Sequence, residues 1–284
     1  MQLIDGKALA KRMREEIAAD VAALKAERGV TPGLAILRVG ERPDDLSYER
    51  AALKRCEKVG IAARRVTLPA DCTQAELERA IRDVNADPSV HGCLMFRPLP
   101  ASLDERAACA ALDVAKDVDG VTAGSLAGVF AGEPVGFPPC TAEAVLQLLR
   151  HHGVSLDGAD VAVVGRSLVI GRPVSMLLQA ANATVTMCHT HTRDLAAKCA
   201  AADVVVVAAG HAGTFGARCA RTGQVVVDVG INWDEVAQHL VGDVDFDAVE
   251  PIVGAITPVP GGVGSVTTAC LAKHVVEAAE RTVG

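Results

Sequence analysis

Apolar positions recur along this chain in two rhythms. Short runs of aliphatic residues, Gly33–Val39, Ile61–Leu68 and Gly92–Phe96, alternate with longer stretches whose apolar residues return every three or four positions. The second rhythm predicts helices over Lys7–Arg28, after the Asp5-Gly6 turn, and over Asp44–Gly60, with Gly60 as the C-terminal stop. A third helix, Thr73–Asp87, is introduced by Thr73. Residues Lys116–Pro139, rich in Gly, Pro and Asp, read as a loop crossing between domains, with a helix following over Thr141–His152. The alternation then restarts through Val161–Val164, Pro173–Ala181, Thr184–Cys188, Leu195–Ala202, Val204–Ala208 and Val225–Val229, and Val266–Val283 closes as a long helix. Strand and helix alternating at this spacing indicate α/β architecture. The run Val204-Val205-Val206-Val207 is too short to span a membrane and suits a central parallel strand covered on both faces.

With 284 residues the chain exceeds the usual size of one domain, so two are expected. Half of its residues are hydrophobic but only 2% are aromatic, so Ala, Val, Leu and Ile must build the core. A net charge of -7, with no Lys/Arg block and few rings to stack on bases, argues against nucleic acid as a partner. The nine cysteines are odd in number and never spaced as CxxC. Together with the lack of a secretory segment or a long apolar run, this points to a reduced, cytoplasmic protein without membrane contact, whose cysteines act as small buried hydrophobes.

Candidate chemistry is concentrated in two places. The segment Val161–Pro173 reads as a strand, a glycine-flanked turn and a helix start. Gly165 would let the chain leave the strand sharply, Gly171 would let backbone approach closely, and Pro173 fits a first helical turn. Free N–H groups there suit a phosphate, with Arg166 and Ser167 beside them. The spacing is not GxGxxG, so an ordinary strand-to-helix turn stays open as the alternative. The next strand ends at Cys188-His189-Thr190-His191, where an NAD-specific domain would place an acid. Arg166, Thr190 and His191 instead suit the 2′-phosphate of NADP. His189 and His191 could also be a metal pair, but no carboxylate or cysteine stands at ligand spacing, so no metal is expected.

Several motifs occur in order: Asp117-Val118-Asp119-Gly120, Pro139-Cys140-Thr141, Gly165-Arg166-Ser167 with Gly171-Arg172-Pro173, Val227–Asn232, and Thr257-Pro258-Val259-Pro260-Gly261-Gly262-Val263-Gly264. Together they resemble the bifunctional methylenetetrahydrofolate dehydrogenase/methenyltetrahydrofolate cyclohydrolase family over essentially the whole chain. The resemblance implies an N-terminal folate-binding α/β domain, residues 1–140 with the returning helix 266–284. It pairs this domain across a cleft with a Rossmann-type NADP-binding domain, residues 141–265. It also implies a homodimer and a tetrahydrofolate derivative as substrate.

By the same resemblance, Tyr48 and Asp119 are catalytic and substrate-binding residues, Asp119 holding the pterin. Pro260, Gly261 and Gly262 line the substrate, and Gly165, Arg166, Ser167, Gly171, Thr190 and Ile231 meet the cofactor. A lone tyrosine or a loop aspartate would otherwise read as packing and as a turn cap. The family carries a lysine four residues after the tyrosine and a glutamine in a Gln-Leu-Pro-Leu-Pro strand. This chain has Ala52 and Phe96 there, the latter in Phe96-Arg97-Pro98-Leu99-Pro100. Lys54 lies about 240° round the helix from Tyr48, and Arg55 returns to its face one turn further on. An arginine does not deprotonate at working pH. Ser265, Thr122 and Ala123 are further departures from the family pattern. The expectation is an NADP-dependent methylenetetrahydrofolate dehydrogenase with the cyclohydrolase step weak or absent. A diverged paralogue acting on a related pterin or cyclic amine, and a non-catalytic regulatory subunit, are the alternatives.

Overall fold

Short apolar runs bounded by glycine, proline and capping residues become the strands of two parallel sheets, and the amphipathic stretches between them become the covering helices. The computed structural model describes residues 1–235 and 238–283. Its elements run β1 (Gln2–Leu3), α1 (Gly6–Arg28), β2 (Gly33–Val39), α2 (Pro43–Val59), β3 (Ala62–Leu68), α3 (Gln74–Ala86), β4 (Gly92–Met95), α4 (Glu105–Ala111), α5 (Ala123–Ala131) and α6 (Cys140–His151). They continue with β5 (Asp160–Val164), α7 (Gly171–Ala180), β6 (Thr184–Cys188), α8 (Leu195–Ala201), β7 (Val204–Val207), β8 (Val225–Asp228), β9 (Asn232–Asp234), β10 (His239–Val241), α9 (Phe246–Val249), β11 (Ala255–Ile256) and α10 (Val263–Glu280).

The chain divides into two compact units, with the divisions falling inside α1 and α10 and at the start of α6. One unit, Arg12–Cys140 with the chain from Thr268 onward, holds the parallel sheet β3-β2-β4. Strand β2 is buried along its whole length. Ala35, Leu37, Cys93, Met95, Leu77 and Ile81 form its core with the inner face of α3. Local signals set the helix ends. Gly60, at φ 82°, closes α2 in the left-handed conformation, and Thr73 with Glu76 forms a reciprocal capping box on α3.

The other unit, Met1–Lys11 with Thr141–Thr267, holds the parallel sheet β1-β11-β8-β7-β5-β6. Strand β7 is four valines, all buried, as a central strand requires. Burying each contributes about 1.5–3 kcal/mol. A hairpin of β9 and β10 carries Trp233 and Leu240 at the surface.

Three features differ from the sequence reading. The segment 116–139 is not one loop, because α5 forms inside it, capped by Thr122 accepting from the Ser125 N–H and ended by Gly132 in the left-handed conformation. Helix α4 also forms, with Asp104 capping it through the Ala107 N–H. Gln2 and Leu3 group with the six-stranded sheet, pairing with Ala255 and Ile256, rather than with residues 12–140.

Candidate active site

In the three-stranded sheet, β2 lies between β3 and β4, so the chain direction of the crossovers reverses between β2 and β4. Open α/β sheets bind ligands at the carboxyl ends of strands beside such a reversal. Tyr48 and Phe96 both sit there. Phe96 follows β4 and donates its N–H to the Leu37 carbonyl at 2.9 Å, while Tyr48 lies on α2, the helix that β2 feeds. The two rings meet at 5.3 Å between centroids. Tyr48 is 42% exposed, whereas Ala52, one turn later, is only 3% exposed. The Arg55 guanidinium stands over the Tyr48 ring, 5.6 Å from its centroid, as the helix geometry predicted. Burial first, then the charge of Asp119, pushes the Tyr48 phenol above its ordinary range.

Helix α2 is pinned to the sheet by the residue after Tyr48. Glu49 accepts from Arg38 Nε at 3.0 Å and from Arg65 Nε at 2.7 Å, and Arg38 also donates to the Gly40 carbonyl. Both Arg38 and Glu49 are buried. Burial alone would raise the Glu49 carboxyl, but the two arginines together outweigh it and hold it below its usual value.

The two aspartates of Asp117-Val118-Asp119-Gly120 have separate roles. Asp117 is fully buried and accepts from the Val121 and Thr122 N–H groups and the Ser125 hydroxyl, which makes it the anchor of the loop and of α5. Gly120, at φ 68°, passes so close to the Phe137–Pro139 backbone that a Cβ would lie 2.4 Å from Pro139 N. Asp119 is left half-buried, facing Arg97, Cys140 and His274 electrostatically. Burial pushes its carboxyl up to about 6, against the lowering effects of Arg97 and a Cys140 hydrogen bond. Arg97 itself pairs with Glu105 at 3.3 Å, and Glu105 also caps the Leu99 N–H.

In the six-stranded sheet the corresponding reversal lies between β5 and β7. Gly165, at φ 136°, ends β5 there, and a Cβ on it would lie 2.1 Å from the Ala208 carbonyl oxygen. A Cβ on Gly171 would lie 2.3 Å from the Gly165 carbonyl oxygen. Ser167 Oγ accepts from the Ile170 N–H at 3.1 Å and the Gly171 N–H at 3.4 Å, folding the turn before α7. Arg166, Ser167, Thr190 and Ile231 are exposed around this turn and its neighbouring strand ends. His189 Nδ1 accepts from the His191 N–H at 3.1 Å. A glycine-only cradle beside an exposed arginine fits a dinucleotide phosphate.

Below that edge two buried aspartates organise the loops. Asp228 accepts from the Gly230, Asp243 and Val244 N–H groups, and Asp243 accepts from Ala209 N–H, Gly210 N–H and Asn232 Nδ2. Burial still pushes Asp228 up to about 6. The Pro260-Gly261-Gly262 loop is tied to the chain start: the Gly6 N–H donates to the Gly261 carbonyl at 2.9 Å, and Lys7 packs beside Gly261. The Ser265 N–H donates to the Gly262 carbonyl at 3.1 Å, a bond that proline could not make.

The sequence profile of the catalytic domain of tetrahydrofolate dehydrogenase/cyclohydrolase matches residues 4–119, and that of its NAD(P)-binding domain matches residues 139–283. The chain belongs to the tetrahydrofolate dehydrogenase/cyclohydrolase family. It is 49% identical over 278 residues to the bifunctional protein FolD of Carboxydothermus hydrogenoformans, covering 98% of this chain and 96% of that one. Among solved structures of the family, the bifunctional enzyme FolD of Campylobacter jejuni superposes with a TM-score of 0.96 at 38% identity, covering 99% of each chain. The Trypanosoma brucei dehydrogenase-cyclohydrolase, solved with NADP and an inhibitor, superposes with a TM-score of 0.92 at 37% identity, covering 99% of this chain and 98% of that one.

The structure brings Tyr48 and Phe96 together, with Ala52 buried one turn along the same helix as Tyr48. Sequence reasoning did not single out His274 or the loop partner Arg97. His274 lies in the middle of an apolar helix and carries no local signal. Cys140 was visible only as part of the Pro139–Thr141 motif.

Proposed function

We propose that this enzyme oxidises 5,10-methylenetetrahydrofolate to 5,10-methenyltetrahydrofolate with NADP, and that it has lost most of the cyclohydrolase step. The observation that carries this reading is the Tyr48 edge. A buried methyl at Ala52 and the Phe96 ring occupy the positions at which the family resemblance implies a lysine and a glutamine for proton handling.

The two reactions make unequal demands on the chain. Oxidation removes a hydride from the methylene carbon and leaves a resonance-stabilised amidinium, so no side chain has to take a proton. Positioning is what this step needs, an effect worth roughly 7–11 kcal/mol when complete. Asp119 would hold the pterin through its N–H groups, and Tyr48 would stack on or hydrogen-bond the substrate. Pro260, Gly261 and Gly262 would border the substrate. NADP supplies the hydride acceptor when bound. The turn from Gly165 through Gly171, with Ser167, would hold its phosphates, Arg166 and Thr190 would meet the 2′-phosphate, and Ile231 would flank the ring.

Hydration of the amidinium does need a positioned acid or base, whose loss typically slows a reaction by about 10²–10⁴. Arg55 reaches Tyr48, but a guanidinium is not a general base. An absorbance time course with methylene- and methenyltetrahydrofolate and each nicotinamide cofactor tests the reading. NADP reduction should accumulate the methenyl compound; rapid conversion onward to 10-formyltetrahydrofolate at neutral pH contradicts the loss of the second step. We further read the enzyme as a cytoplasmic homodimer. The exposed Trp233 and Leu240 on the β9–β10 hairpin support association, and the lack of a disulfide among the nine cysteines, all of them described residues, supports a reducing compartment.

A further inference from the structure

Asp119 is supported from behind by the C-terminal helix. His274, on α10, is 1% exposed and its Nδ1 lies 2.8 Å from the Val118 carbonyl oxygen. A carbonyl only accepts, so Nδ1 must carry the proton. Cys140 Sγ lies 3.2 Å from the same oxygen and 3.6 Å from His274 Nδ1. The imidazole is held in turn by Phe137, stacked at 4.9 Å, and Arg281 covers Phe137 at 4.1 Å while donating to the Gly136 carbonyl.

Two side chains far apart in sequence thus converge on one carbonyl oxygen, that of the peptide joining Val118 to Asp119. A carbonyl oxygen has two lone pairs, so the strong N–H donor and the weak S–H donor can both be accepted there. We propose that His274 and Cys140 are positioning residues for Asp119: both donate to the Val118 carbonyl, and by fixing the peptide that joins Val118 to Asp119 they aim its carboxylate at the pterin. This rests on the reading of Asp119 as the pterin-holding residue. Burial raises that carboxyl to about 6, close enough to neutrality that a lost donor changes its ionised fraction. Two side chains that hold the backbone before Asp119 would thus govern substrate affinity.

The test uses the full-length enzyme and steady-state kinetics across pH 5–9 (a range of roughly two units around neutrality). Cys140→Ala and His274→Leu should raise KM for methylenetetrahydrofolate about tenfold, change kcat less, and leave KM for NADP unaltered. Removing the thiol donor should also move the acid limb of kcat/KM to higher pH. Cys140→Ser and His274→Asn each keep a donor and should recover KM to within about threefold of the parent. Should His274→Leu not fold, the Cys140 pair decides. Unchanged KM and an unmoved acid limb in folded Cys140→Ala overturn the proposal, as does a His274→Asn enzyme as impaired as His274→Leu. Asp119→Asn separates the two layers. If it raises KM while the Cys140 variants do not, only the positioning role fails; if it leaves KM unchanged, the reading of Asp119 fails and this inference with it.

Discussion

Tyr48 and Phe96 touch ring to ring, centroids 5.3 Å apart with planes tilted by 58°. The contact joins the helix after β2 to the end of β4, so the phenylalanine ring fills the space beside the tyrosine. The consequence is a pair of coupled positions. Ala52→Lys alone forces a long side chain into a buried site, a change that typically destabilises by about 1–3 kcal/mol. It should lower Tm and give little hydration. Combined with Phe96→Gln, it should raise methenyl hydrolysis by at least about tenfold over the parent. A double-mutant cycle on initial hydrolysis rates measures the coupling; strictly additive effects would show that the ring does not obstruct the amine.

The buried Arg38–Glu49 pair sets how well α2, and with it Tyr48, is held. Glu49→Ala leaves Arg38 without its buried counter-charge and should destabilise by about 3–5 kcal/mol, read by urea unfolding. The folded-state pKa of Glu49 lies below its unfolded value, so its contribution is complete above about pH 4.5 and is lost as pH falls through the folded value. The stability gap between parent and Glu49→Gln should therefore narrow in acid. A gap independent of pH would remove the ion pair as its source.

Much of this was legible in advance, and the exceptions have physical reasons. Strands β2 and β6 and the helices α2 and α3 announced themselves through periodicity, Gly60 and the Thr73–Glu76 box. Helix α5 did not, because Gly124, Ser125 and Gly128 have low helix propensity and the element depends on its Thr122 cap. Strand β1 has two residues, too few to show any period, and exists only because β11 offers it an edge. At the site, Tyr48 and Ala52 could be related by helix geometry alone. The His274 contact could not, since it joins residues 156 positions apart.

Asp119 should be destabilising in its own fold at neutral pH. Its folded pKa of about 6 exceeds the unfolded value of 3.8, so the folded state binds more proton between those limits and stability falls as pH rises through them. Asp119→Asn should therefore melt higher than the parent at pH 7.5, by the equivalent of about 1–3 kcal/mol, with the difference disappearing near pH 4. The same variant should lose most dehydrogenase activity. Equal melting temperatures at both pH values would show that the carboxylate is not under this penalty.

Gly165→Ala adds a methyl at φ 136°, aimed at the Ala208 carbonyl oxygen 2.1 Å away. Either the β5 end shifts or the turn opens, and both spoil a phosphate cradle. The variant should bind NADP at least about tenfold more weakly in a fluorescence titration, a loss of about 1.4 kcal/mol. Folate binding by the other unit should be unaffected. Undiminished NADP affinity would place the phosphates elsewhere.

The pairing of Gln2–Leu3 with Ala255–Ile256 sets the timetable of assembly. A ribosome makes Gln2–Leu3 long before Ala255–Ile256, so the outer edge of the large sheet stays open while the intervening chain is made. An extension fused ahead of Met1 would burden that late closure, whereas one after the final helix would leave it alone. Tag placement on this polypeptide is therefore a matter of folding as well as of purification.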